Sequence, residues 1–75
     1  MNRAETDAFY AGVLVALGCI YDAGYATITE EIIAAVGSPY GLLRVARKNE
    51  DPCLPQLRKT VRYLQQRRER NETEG

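Results

Sequence analysis

Fourteen consecutive residues, Ala8 to Tyr21, carry no charge (AFYAGVLVALGCIY), and Asp7 and Asp22 bound them. No other stretch of the chain is so apolar. Asn2 is placed to cap a helix ahead of it, with Glu5 as its reciprocal partner. Gly24 stands where a left-handed residue would end one. The chain therefore reads as a helix over 3–22. Tyr10, Val13, Leu14, Leu17, Ile20 and Tyr21 form a bulky stripe at helical spacing. Gly12, Ala16, Cys19 and Ala23 form a second stripe of small side chains, along which another backbone can approach closely. A surface helix carries one apolar stripe, whereas a helix apolar most of the way round is expected to be covered on several sides. The expectation is a central post against which later helices pack.

Seventy-five residues make one domain, and a chain of this size buries only about 60% of its unfolded surface. Formal charge is zero, ten against ten, but the halves differ. Before residue 40 a single base, Arg3, faces Glu5, Asp7, Asp22, Glu30 and Glu31; from Arg44 to Arg70 nine bases face Glu50, Asp51 and Glu69. Such asymmetry points to charged partners or to self-complementarity, where the bland alternative is solvated helix faces. Cys19 and Cys53 lack metal-ligand spacing and the chain has no histidine, so reduced thiols are expected and no metal site. The uncharged run is shorter than the roughly 20 residues of a membrane span and lacks the features of a secretory signal. No membrane association is expected.

Three more helices follow. Thr29 reads as an N-cap, with Glu30 and Glu31 in a first turn that favours negative charge, although Thr27 with Glu30 offers a competing capping box. Ile28 and Ile33 have the spacing of a hydrophobic staple. Helix 2 is placed at about 30–36, burying Ile32, Ile33 and Val36 and stopping at Gly37. Ser38 and Pro39 restart the chain as N-cap and N1 of a helix over 39–48, with Leu42, Leu43, Val45 and Ala46 on its core side. Pro55 opens a fourth helix over 55–70, whose seam is Leu54, Leu57, Val61 and Leu64. Residues 71–75 are expected to fray. The reading is all-α: a small four-helix domain over 1–70 around a central apolar N-terminal helix.

The inventory for catalysis is poor. There is no histidine, no nucleophile elbow, no phosphate loop and no zinc pattern. Neither an enzyme nor a bound cofactor is expected, and function is sought at the surface. Two charged sets compete as partner-binding surfaces. The acidic set is Glu5, Asp7, Asp22, Glu30 and Glu31, which, if convergent, would suit a positively charged groove. Helix N-terminal acids that merely satisfy dipoles would explain much of it without a partner. The basic and aromatic set is Tyr40, Arg44, Arg47, Lys48, Arg58 and Arg62. Tyr25 and Tyr40 fall in turns, where tyrosines serve either partner contact or the closing of bundle ends. Tyr63 could stack a base if the last helix held nucleic acid. Helix 2, the turn at Gly37 and helix 3 also imitate a helix-turn-helix, with Ser38, Tyr40, Arg44, Arg47 and Lys48 as its contacts. Against that, Ile33 stands where the motif has a small residue, and Pro39-Tyr40-Gly41 offers little to reach base edges.

Phe9 to Leu17 (FYAGVLVAL), Thr29 to Ile33 (TEEII) and Leu43 to Arg47 (LRVAR) resemble a family of very short proteins encoded in phage and prophage genomes. The resemblance spans about residues 9–47 and transfers no site residues. The basic helix over 55–70 departs from the glycine-rich ending common in that pattern. The resemblance implies a mobile-element accessory protein in a bacterial host cytoplasm, where helical proteins of this size include anti-CRISPR and other anti-defence inhibitors. The expected function is a phage-encoded, non-catalytic inhibitor that binds a host protein such as a CRISPR effector complex. The acidic set is preferred because such effectors carry basic nucleic-acid channels. The alternative is a small helix-turn-helix DNA-binding regulator. As oligomeric state, a monomer or a homodimer through the small-residue stripe is expected.

Overall fold

A computed structural model describes residues 2–74, and side chains as far as Glu72. It contains four helices: α1 Arg3–Ala23, α2 Ala26–Val36, α3 Pro39–Lys48 and α4 Leu54–Glu74. No strand occurs among the described residues. The all-α, four-helix reading holds.

Local chemistry explains most boundaries. The Asn2 side chain accepts the Glu5 N–H at 2.8 Å, so α1 starts on a formed cap. At its other end Gly24 is left-handed (φ 85°). The N–H groups of Tyr25 and Gly24 donate to the carbonyls of Ile20 and Tyr21, closing α1 with paired terminal bonds. Gly37 (φ 79°) ends α2 in the same conformation. Pro39 opens α3 at the position where its missing N–H costs nothing. The Ser38 hydroxyl, expected to cap α3, makes no cap bond; only its carbonyl accepts, from the Leu42 N–H. Asp51 receives the Cys53 N–H at 3.0 Å in a turn that leads into α4.

Helix α2 differs from expectation. It begins at Ala26, not at Glu30, and Thr29 is fully buried inside it. The Thr29 hydroxyl donates back to the Ala26 carbonyl, which satisfies a hydroxyl that could not otherwise be buried. Glu30 and Glu31 consequently lie in the second turn. Ile28, 45% exposed, falls in the first turn of α2 and not before its N-cap, so the staple spacing with buried Ile33 no longer applies. Helix α4 runs to Glu74 instead of ending at Arg70; its last turns carry an Arg68–Glu72 pair at 3.3 Å, of a kind that supports an exposed helix by a few tenths of a kcal/mol. The tail expected to fray over 71–75 is thus helical over 71–74, and Gly75 lies outside the described residues.

The core is small: Leu14 and Leu17 from α1, Ile33 from α2, Leu42, Val45 and Ala46 from α3, Cys53, then Leu57 and Val61 from α4. Helix α3 is the hub, packing most extensively on α1 and also on α4 and α2. Tyr10 of α1 lies directly on the α3 backbone at Gly41, where an added Cβ would come within 2.5 Å of the ring. Close approach therefore happens at a glycine of α3, not along the small-residue stripe of α1. Gly12, Ala16, Cys19 and Ala23 are all exposed, and nothing lies within 4 Å of a Cβ built on Gly12. Phe9 is 50% exposed and Val15 70%. The expectation that α1 would be covered on several sides is corrected: one face enters the core and the other meets solvent.

Candidate partner-binding surface

The five acidic residues do not form one surface. Glu5 and Asp7 are two positions apart, which puts them on opposite sides of α1 at about 100° per residue. Asp7 is already engaged: Arg44 Nη2 lies 2.7 Å from its Oδ1 and Lys48 Nζ 3.4 Å from its Oδ2. The Arg44 hydrogen bond holds the Asp7 carboxyl below its ordinary range, and the same contact raises Arg44. Asp22 sits fifteen residues further along the helix, roughly 22 Å away at 1.5 Å per residue. It stands beside the α1–α2 turn that leads to half-buried Glu30 and exposed Glu31. One member is neutralised internally and the remainder divide between two ends of the molecule.

The basic set is also divided, but more usefully. Arg44 and Lys48 occupy the edge of α3 that faces α1, held by Asp7. Tyr40 and Arg47, a heptad apart, point outward with Leu43 half-buried beside them. Helices α3 and α4 are joined by only five residues, so they run antiparallel. The Gln65 amide donates to the Tyr40 hydroxyl at 2.7 Å and fixes their register. Counting back along α4 from Gln65 puts Arg62 level with Leu43 and Arg58 level with Arg47. Arg58, Arg62 and Gln65 are spaced 4 and 3, a single helical stripe on the α3 side of α4.

The outcome is a shallow hollow of about 450 Å³ on α3, lined by Tyr40, Leu43, Arg44, Arg47 and Lys48, with Arg58 and Arg62 exposed on the neighbouring helix α4. Tyr40 is 68% exposed and held by Gln65. Among the described residues no carboxylate lies within 4 Å of Arg47, Arg58 or Arg62. Unpaired guanidinium groups present forked donors that match carboxylate or phosphate oxygens. A tyrosine with its hydroxyl already bonded adds rigid contact area. Tyr25, the other turn tyrosine, is 60% exposed on the N-terminal side of α2. Tyr63 is exposed on α4, two residues from Gln65 and so off the Arg58–Arg62 stripe.

Reactive chemistry is not assembled around the cysteines. Cys53 is buried, and burial together with Asp51 pushes its thiol up to about 12, so it is protonated at neutral pH. Cys19 is exposed on the outer side of α1. No group of three or more metal-ligating side chains occurs among the described residues. Sequence reasoning named every member of the basic face, but it could not separate Arg47, Arg58 and Arg62 from Arg44 and Lys48. The Asp7 contacts that distinguish them join residues 37 and 41 positions apart. Gln65, which orients Tyr40, gave no signal at all. No family model matches the chain, and no curated protein or solved structure is significantly similar to it.

Proposed function

We propose that this chain is a non-catalytic binding protein of the phage inhibitor type, which docks on a host defence protein through the α3–α4 face. The observation that carries the reading is the set of unpaired guanidinium groups at Arg47, Arg58 and Arg62 beside exposed Tyr40. A CRISPR effector complex is the proposed target, contacted at an anionic site: a carboxylate-rich protein surface or the phosphates of its bound nucleic acid. The preference between surfaces moves from the acidic set to the basic one, because Asp7 is consumed and the other acids are dispersed. The test is charge reversal in two arms. R47E/R58E/R62E should lose effector binding and inhibition, while D22K/E30K/E31K should keep both. The opposite pattern would transfer the contact to the acids.

A DNA-binding regulator is the second reading. Favouring it is the α2–Gly37–α3 turn, in which Gly37 is left-handed and Pro39 starts the next helix. Weighing against it, Asp7 holds two of the three bases of α3. Three free arginines would give a log–log salt slope of only about −3 on duplex DNA. A gel-shift titration over salt measures this, and absence of a complex at low salt eliminates the regulator.

A further inference from the structure

A second hollow, of about 360 Å³, lies where the end of α2, the start of α3 and the middle of α4 meet. Buried Ile33 and Val61 and half-buried Pro39 and Leu64 give it an aliphatic lining. It stays open because its α2 side is small. Ala34 and Gly37 stand there, and nothing lies within 4 Å of a Cβ built on left-handed Gly37. Helix α2 has then ended, while α4 runs on: beyond Gln65 every α4 side chain as far as Glu72 is exposed. The two polar members of the lining, Gln65 and Arg68, come from this stretch of α4. Both belong to the surface already described. Gln65 holds the Tyr40 hydroxyl at 2.7 Å, and Arg68 continues the Arg58, Arg62 and Gln65 stripe at the next helical spacing.

Charge and shape together select the occupant. The volume is near the lower end of the roughly 300–1,000 Å³ of ligand pockets, room for a side chain rather than for a cofactor. Arg68 supplies the charge at the mouth. Its Nε lies 3.3 Å from Glu72, but the two side chains are 83% and 66% exposed, and a pair so exposed exchanges readily for a partner's carboxylate. On the opposite side Glu30, half-buried one turn before Ala34, and the carbonyl end of α2 repel an anion. An anionic group is therefore favoured at Arg68 and disfavoured inside the hollow. A nucleic-acid strand fits this badly, because no aromatic ring lines the hollow to stack on a base. An apolar side chain with a carboxylate beside it fits both parts.

We infer that this hollow is an anchor pocket for an acidic protein segment: it takes one large apolar side chain, and Arg68 pairs with a carboxylate next to that side chain. The inference rests on the α3–α4 reading and, of its two anionic targets, takes the carboxylate-rich protein surface. The full chain is panned with a displayed library of random short peptides. Enriched sequences should share one large apolar residue with Asp or Glu close beside it. A labelled consensus peptide should lose about tenfold or more in affinity on Ala34→Trp, which fills the hollow from an exposed position, as expected for one apolar side chain kept out of its pocket. Arg68→Glu should weaken the peptide, and exchanging the peptide's acid for lysine should restore binding to that variant. Both positions are exposed, so helical circular dichroism should not change, and the Arg68 charge swap stands alone if Ala34→Trp does not fold. No consensus, a consensus without an acid, or binding that neither variant alters would overturn the pocket. So would a labelled oligo(dT) strand that binds wild type and is excluded by Ala34→Trp. Inhibition lost in R47E/R58E/R62E but kept in both Ala34→Trp and Arg68→Glu removes the anchor and leaves the docking face; a peptide seated in the hollow while R47E/R58E/R62E still inhibits removes the face and leaves the anchor.

Discussion

Gly41→Ala should destabilise this protein although alanine is the better helix former, and the reason is one ring on another helix. Gly41 lies inside α3 with an ordinary helical backbone, so in isolation the substitution gains about 1 kcal/mol of helix propensity. The new methyl would stand 2.5 Å from Tyr10 Cε2 and Cζ and 2.8 Å from its hydroxyl oxygen. Ordinary carbon contacts lie at about 3.5–4 Å, so the ring must move by roughly 1 Å or swing out. Tyr10 is half-buried and packs on Phe9 at a centroid distance of 5.6 Å. Displacing it costs about 1–3 kcal/mol, the range for overpacking. The net loss is about 1 kcal/mol, or roughly 4–8 °C of Tm for a domain of this size. In a Tyr10→Leu background the clashing atoms are gone, and Gly41→Ala should then stabilise by about 1 kcal/mol. Thermal unfolding of the four proteins in this double-mutant cycle measures a coupling of about 2 kcal/mol between the two sites. If Gly41→Ala raises Tm equally in both backgrounds, Tyr10 does not rest on α3 and the α1–α3 packing is wrong.

Three further outcomes rest on single contacts. Because the Asp7 carboxyl is held below its unfolded value, the Arg44 pair contributes stability above about pH 4 and loses it as pH falls through the lower folded value. The stability gap between wild type and Asp7→Asn should accordingly be present at pH 7 and close in acid; a gap independent of pH would mean that the pair contributes nothing. Glu50 is left-handed (φ 52°) just beyond α3, a conformation that costs a side chain about 1–2 kcal/mol, so Glu50→Gly should raise the urea midpoint. In dilute protein at neutral pH a thiol reagent should modify Cys19 rapidly and Cys53 only at the rate of global unfolding, since Cys53 is buried and its thiol lies up at about 12.

The helices of this chain were readable wherever a local device writes the boundary: Asn2 and Gly24 around α1, Gly37 after α2, Pro39 before α3. Thr29 misled because a threonine hydroxyl can cap a helix or bond back within one, and only burial of its side chain selects the second. The candidate surface was legible as a list of residues but not as a shape. Charge counting placed Arg44 beside Arg47, and Asp7 with the other acids, without showing which of them satisfy each other.

What the chain alone determined is therefore the helical class and the composition of each face. What the tertiary structure alone decided is which face each helix buries and which charges remain free. The cause is physical. A helix uncharged all round, as α1 is from Ala8 to Tyr21, has no polar side to mark its outward direction, so only packing against α3 turns Leu14 and Leu17 inward and leaves Gly12 and Val15 outside. Ion pairs between residues some forty positions apart likewise leave no trace in local periodicity, and the Asp7–Arg44 contact exists only once α3 has docked.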